Sequence, residues 1–320
     1  MAIKKQLCFD KPFAPTALLL LADAVLFVVA FYLLTLPSTA AFIASQMMLA
    51  LFFFHNFGIL HEAVHGNLHK KRWVNNAVGH YASIFCFTAY FPWRYMHQKH
   101  HVWAGSLNKD PTMRILEKMK EKGEIPKFYR IAWFLWLPLP AAAQHLLFWF
   151  YPLRVLKEGT NDQSFFRSSI ISSVFLILCY GAFIYYFSFA WLLQNIGLAI
   201  LLYFLLTEII NLPHHMNVPV FVSGERLSKL HPWQQHVTTR SCPYPGVLSE
   251  IITLNFSLHI EHHYFPSLPW YRLKGLRDII KPLLVDEYKE VSDFGWNIEK
   301  RKFSPEKTIL SDVKHPLLEP

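Results

Sequence analysis

Hydrophobic and polar positions along the chain separate into four long apolar runs and the more polar segments between them. The runs cover about residues 14–36, 40–60, 168–188 and 190–210. Each is near the roughly 20 residues that an α-helix needs to cross a bilayer. They come in two pairs, joined by short turns near Pro37–Ser38 and Ser188–Phe189 that contain no charged residue. This pattern predicts four spanning helices arranged as two hairpins. Two further stretches, 73–96 and 131–153, are apolar but interrupted. The first holds Asn75, Asn76, His80 and Arg94, and the second holds Pro138, Pro140, Gln144 and His145. Both are expected to lie in the membrane interface, where aromatic residues sit at headgroup level. No internal repeat or Gly/Ser-rich linker interrupts the chain, so residues 1–320 read as one domain. The polar tail after Lys300 reads as a loosely held terminus.

Charge orients this arrangement. All 31 lysines and arginines lie outside the four runs: three before the first, fifteen in 61–167 and thirteen in 211–320. Positive residues collect on the cytosolic side of membrane proteins. Both termini and a helical cap formed by 61–167 and 211–300 are therefore expected in the cytosol, beneath a bacterial inner membrane or the endoplasmic reticulum. The formal net charge of +9 is accounted for by topology and by anionic headgroups. No nucleic-acid motif accompanies it, and no nucleic-acid partner is expected.

Composition agrees. Hydrophobic residues make up 53% of the chain and charged residues 17%, against roughly 25% charged in a soluble domain. The beginning of the chain lacks the short apolar run and cleavage site of a removable signal peptide. Cys8, Cys86, Cys179 and Cys242 are widely spaced and read as packing residues. Asp23 falls inside the first run and is expected to be paired or to snorkel.

The 17 histidines are unusual. Eight form three clusters: His61 and His65 in HEAVH; His97, His100 and His101 in HQKHH; His259, His262 and His263 in HIEHH. Chance would produce one H-x-x-H-H pattern in this chain about 0.05 times, and two about once in a thousand such chains. On a helix, residues i, i+3 and i+4 share one face, so each cluster is expected to project its imidazoles together. Neutral imidazole suits iron, copper, zinc or nickel. Eight are too many for one ion and about right for two. Isolated histidines (His55, His80, His145, His231, His315) are assigned to packing, and His69 and His236 lean the same way.

These clusters make the chain resemble the membrane fatty-acid desaturase superfamily, marked by boxes of the form H-x(3–4)-H, H-x(2–3)-H-H and H/Q-x(2–3)-H-H. Gly66-Asn67 after the first box, Asp110-Pro111 after the second, HVTTR at His236–Arg240 and Tyr264-Phe265-Pro266 add to the likeness, which extends over about residues 40–285. The resemblance implies that His61, His65, His97, His100, His101, His259, His262 and His263 bind two non-haem irons. It also implies one more histidine at the end of the last span, with an asparagine acting through water. The chain there reads Asn211-Leu212-Pro213-His214-His215. His215 has the i+4 spacing from Asn211, His214 fits the family's L-x-H pattern, and Pro213 is able to break the helix. Both are candidates, with one expected to ligate. Glu62 stands where the family often has aspartate. Glu208 lies on the same helical face as Asn211 and is a candidate to support the ligands.

The resemblance implies an all-α integral membrane enzyme that uses molecular oxygen and external electrons to insert a cis double bond into a long fatty-acyl lipid or thioester. Hydroxylation or ketolation of a carotenoid is the alternative within the superfamily. A non-enzymatic haem or metal protein is disfavoured because only His55 lies within a span. A histidine rather than a glutamine opens the third box, which disfavours front-end desaturases. No H-P-G-G segment marks a fused cytochrome b5 domain, so the donor is expected to be a separate ferredoxin-like or cytochrome b5-like protein.

Overall fold

A computed structural model describes residues 2–157, 162–224, 227–245 and 247–318. Its α-helices are α1 Ala2–Gln6, α2 Phe13–Leu34, α3 Thr39–Val64, α4 Arg72–Phe85, α5 Tyr90–Trp103, α6 Arg114–Lys122, α7 Lys127–Leu135 and α8 Leu139–Lys157. They continue as α9 Gln163–Phe187, α10 Phe189–His215, α11 Leu248–Thr253, α12 His259–Tyr264, α13 Leu273–Leu284, α14 Asp293–Lys300 and α15 Pro305–Ile309. Strand pairing among the described residues is limited to two isolated bridges, Ser106 with Phe221 and Ser241 with Glu290. Among the described residues, four helices are long and apolar enough to cross a membrane: α2, α3, α9 and α10. The chain is a helical membrane protein. The segments 73–96 and 131–153 fall on α4, α5, α7 and α8, none of which is among these four.

The chain divides into two compact units. One comprises 10–95 and 141–207. Here α2 packs on α3, α3 on α4 and α4 on α9. Gly79 is needed in α4 because a Cβ there would lie 2.3 Å from the Tyr90 ring. The outward faces are apolar: Leu18 is 67% exposed and Tyr185 is 83% exposed, as expected for side chains that meet lipid. Two polar side chains on the spanning helices, Asp23 and Gln46, find partners inside. Asp23 Oδ1 lies 2.7 Å from His55 Nδ1, so Asp23 is paired. The Gln46 amide donates to the Asn195 carbonyl (2.7 Å) and accepts from the Ala199 N–H (2.9 Å). It thus enters the i→i−4 ladder of α10 and stays satisfied where water is scarce.

The other unit comprises 1–9, 96–140 and 208–320. One core gathers Leu258, Ile260, Leu268, Leu273, Leu276 and Ile280 around α12 and α13. A second joins Leu116 and Met119 of α6 and Trp133 of α7 to Trp296 of α14 and Ile309 of α15. Residues 301–312 are therefore packed rather than loosely held. Arg301, Pro305, Thr308 and Ile309 are buried, and Lys120 pairs with Asp312 at 2.7 Å. Ile309 of the short helix α15 is the side chain by which this segment joins the core. Of the cysteines, Cys86 and Cys242 are buried, while Cys8 is exposed and so is not a packing residue.

Pro213 does not end α10, which runs on to His215. A proline there cannot donate to the carbonyl four residues earlier, that of Ile209. Asn297 Nδ2 of α14 donates to that oxygen instead, at 2.9 Å.

Candidate metal centre

Helices α3 and α10 run past the apolar runs that marked them. Helix α3 has 26 residues and α10 has 27, each about 40 Å long at 1.5 Å per residue against a hydrocarbon core of about 30 Å. The excess on α3 carries His61 in its last turn, with His65 at the C-cap. Gly66 follows at φ +69, the left-handed conformation that closes helices and favours glycine. The two rings lie 4.9 Å apart, and His61 Nδ1 is 3.2 Å from Glu62. The excess on α10 carries Asn211, His214 and His215, which with Glu208 belong to the other unit.

In that unit, the second and third boxes each divide their histidines. His97 and His101, one turn apart on α5, approach with Nε2 atoms 3.1 Å apart, and His262 Nε2 reaches His101 Nε2 at 2.9 Å. His100, His215, His259 and His263 form a separate set whose ligand nitrogens all lie within 4.8 Å of one another. His259 Nε2 is 2.7 Å from His215 Nε2 and 3.1 Å from His263 Nε2. The second box thus gives two rings to the first group and one to the second; the third box reverses the ratio. Of the two residues left open by sequence, His215 enters the four-histidine set. His214 stacks against the His259 ring, with centroids 4.3 Å apart. Asn211 lies one helical turn before His215 and is half-buried.

Hydrogen bonds aim these rings. Asp110 Oδ2 accepts from His100 Nδ1 (2.8 Å), Gln235 Oε1 from His263 Nδ1 (2.7 Å) and the Thr238 carbonyl from His215 Nδ1 (3.3 Å). With Nδ1 protonated in each case, Nε2 presents a lone pair to the centre of the set. His259 Nδ1 is buried with no hydrogen-bond partner among the described residues, and its single neutral-state proton cannot satisfy three converging lone pairs. Burial, then the neighbouring imidazoles, holds His259 and His263 well below the ordinary histidine range, so protonation does not relieve the crowding. A cation does, and the donor set fits a borderline metal.

The third box sits on a helix of only six residues whose N-cap, Leu258, offers no side-chain bond. Ser241 substitutes for one: its Oγ accepts from the Ile260 N–H (3.0 Å) and donates to Glu261 (2.7 Å). Tyr288 donates to the same carboxylate. Glu261 thus anchors α12 from the face opposite its histidines. At the exit of α5, Gly105 has φ +82, and a Cβ there would lie 2.4 Å from Thr238, so only glycine permits this approach.

A fatty acid desaturase family model matches residues 37–295, more than half of the chain and all three boxes. The chain belongs to the fatty acid desaturase family. Relatives include an sn-1 acyl-lipid omega-3 desaturase (ferredoxin) from Synechocystis, 22% identical over 267 residues, covering 76% of this chain and 68% of that protein. An omega-6 fatty acid desaturase of the endoplasmic reticulum from Brassica juncea is 24% identical over 72% of this chain and 64% of its own length. A Delta(12) fatty acid dehydrogenase from Crepis alpina is 24% identical over 88% of this chain and 80% of its own length.

In this desaturase-family chain the other histidines have structural partners. His80 meets the Asn76 carbonyl and Ser172, and His145 the Ala141 carbonyl and Tyr203. His69 Nδ1 accepts the Lys71 N–H, His231 stacks on Trp233, and His315 Nδ1 accepts the Leu317 N–H. His236 lies between Glu287 and Tyr264, 2.7 Å from each. Glu208 pairs with Arg301. Gln235, Ser241 and Tyr288 were not singled out by sequence. Gln235 and Ser241 flank the HVTTR segment, and that adjacency was the available signal.

Proposed function

We propose that this chain is an oxygen-dependent di-iron desaturase that inserts a cis double bond into a long fatty-acyl chain drawn from the membrane. The observation that carries the reading is the set of buried His100, His259 and His263 with half-buried His215, whose Nε2 lone pairs converge beside the His97, His101 and His262 group. On this reading the four-histidine set holds one iron. The His97, His101 and His262 group holds the other, with Asn211 near the first ion, and the family pattern adds His61 and His65 to the ligands of the pair. His214 shapes the pocket by stacking. The family pattern supports this sharing of three boxes between two ions.

When bound, a pair of ferrous ions supplies the reductive activation of dioxygen that cleavage of an unactivated methylene C–H bond requires. Each turnover removes two hydrogens from adjacent methylenes, reduces one dioxygen to two waters, and takes up two electrons and two protons. The chain's own residues fix the geometry. Asp110, Gln235 and the Thr238 carbonyl hold the Nδ1 protons, and burial excludes bulk water. Electrons come from a separate acidic donor of the ferredoxin or cytochrome b5 type. One relative carries ferredoxin in its name, and the 28 lysines and arginines of 61–167 and 211–320 steer such a partner. Both termini and the metal centre face the cytosol.

Expression in a host containing both fatty acids and carotenoids tests the reading. New unsaturated acyl chains with unchanged pigments are expected. Hydroxylated or oxo-carotenoids with an unchanged acyl profile would overturn it.

A further inference from the structure

We infer that Gln235 is a positioning residue that locks His263 in its metal-binding tautomer and couples it to the second histidine box. Gln235 is 1% exposed and lies on the short 3-10 helix Pro232–Val237. Its side-chain amide makes two bonds. Nε2 donates to the backbone carbonyl of His101 at 2.8 Å, and Oε1 accepts from His263 Nδ1 at 2.7 Å.

The order of constraint runs in one direction. A peptide carbonyl can only accept, so the amide must turn its NH2 towards His101. That leaves Oε1, which can only accept, facing the His263 ring. The ring must then carry its proton on Nδ1, and Nε2 must present a lone pair to His259, 3.1 Å away. Rotating the amide would set NH2 against an Nδ1–H and oxygen against oxygen, breaking both bonds in a buried site.

The backbone of Gln235 is itself fixed. Its carbonyl accepts from the Thr238 N–H (3.0 Å) and the Thr239 hydroxyl (2.8 Å). Thr238 in turn supplies the carbonyl that orients His215. The amide also joins the two nitrogen groups. His101 carries its ring in the group with His97 and His262, while His263 belongs to the set with His100, His215 and His259. A neutral acceptor at His263 contrasts with the carboxylate at His100, so the two rings differ as donors within one set.

This inference rests on the di-iron reading, and the test separates the two. Detergent-purified apo-protein is titrated with cobalt(II), recording ions bound per chain, their affinities and the ligand-field spectrum, for wild type, Gln235→Leu and Gln235→Glu. Size-exclusion and thermal unfolding check the fold. Wild type is expected to bind two ions. Gln235→Leu should weaken one of them about 10–100-fold and leave the other within about 3-fold. Gln235→Glu, which keeps the acceptor for His263 and lacks the donor for His101, should recover most of that affinity and shift the spectrum. Gln235→Leu matching wild type, weakening both ions equally, or failing to be rescued by Gln235→Glu would overturn the inference alone. Should Gln235→Leu not fold, an unshifted Gln235→Glu spectrum overturns it. Wild type binding only one ion would overturn the di-iron reading, and this inference with it.

Discussion

Arg301 donates to the carboxylate of Glu208 across 2.6 Å, with both side chains only 2% exposed. The guanidinium also donates to the Trp133 carbonyl (3.0 Å) and lies over the Trp133 and Trp136 rings, 4.8 Å from each centroid. Ninety-three residues separate the pair, and Arg301 lies beyond the family match, which ends at 295. It ties the C-terminal helices to the segment of α10 that presents His215. Arg301→Met removes the guanidinium from a buried carboxylate, a change that costs about 3–5 kcal/mol. Thermal unfolding in detergent should show that loss, and Arg301→Met with Glu208→Gln should recover part of it. A loss below about 1 kcal/mol would mean the pair is not clamping the helix end.

Asp23 and His55 make a comparable pair inside the spanning helices. Asp23 Oδ2 and His55 Nε2 have no other hydrogen-bond partner among the described residues, so each group depends on the other. Asp23→Leu and His55→Leu should each destabilise the protein, and the double substitution should cost less than the sum of the two. A coupling of about 0.5–3 kcal/mol is expected from a double-mutant cycle. Strict additivity would show that the contact contributes nothing.

On the di-iron reading, His100→Ala or His262→Ala should abolish desaturation while the protein still purifies as a folded species, because each would remove a ligand to one of two ions that work together. Asp110→Asn should retain the fold and lower metal affinity by about 10–100-fold, since it weakens the acceptor that orients His100. Elemental analysis and product profiling read the two effects separately. Full activity in His262→Ala would remove the third box from the ligand set.

His145 offers a pH test away from the metal. Burial lowers its pKa from 6.5 to about 4. The unfolded chain therefore takes up a proton near pH 6.5 that the folded chain refuses until about pH 4. Stability from this residue is complete above 6.5 and is lost as the pH falls through that window, by roughly 3 kcal/mol in all. His145→Leu should keep activity and lose less stability than wild type between pH 7 and pH 4. Equal acid sensitivity in the two proteins would refute the assignment.

Orientation is open to labelling with an impermeant maleimide on single cysteines in a Cys8→Ser background. Ser38, Lys118 and Lys307 are exposed; Ser106, in the bridge to Phe221, is fully buried and unsuitable. Lys118→Cys and Lys307→Cys should react from the cytosolic face and Ser38→Cys from the other. Reaction of Lys118→Cys and Lys307→Cys from opposite faces would break the proposed topology.

The spanning helices were legible because lipid imposes length and apolarity on each segment by itself, and these are local properties of sequence. Helices α2, α3, α9 and α10 fall on the four apolar runs. The histidine boxes were legible for the same reason: H-x-x-H-H is a local spacing that a helix turns into a cluster. What spacing could not reveal is how the second and third clusters divide. His100 and His101 are neighbours in sequence, as are His262 and His263, yet each pair separates between two nitrogen groups. The choice of His215 over His214, the rescue of the Ile209 carbonyl by Asn297, the orientation of His263 by Gln235 and the burial of Arg301 against Glu208 were likewise hidden. Each joins polar groups 28 to 93 residues apart in the chain. Hydropathy and periodicity say which residues must be buried or grouped. Which buried group satisfies which is decided only when the tertiary packing brings distant segments together.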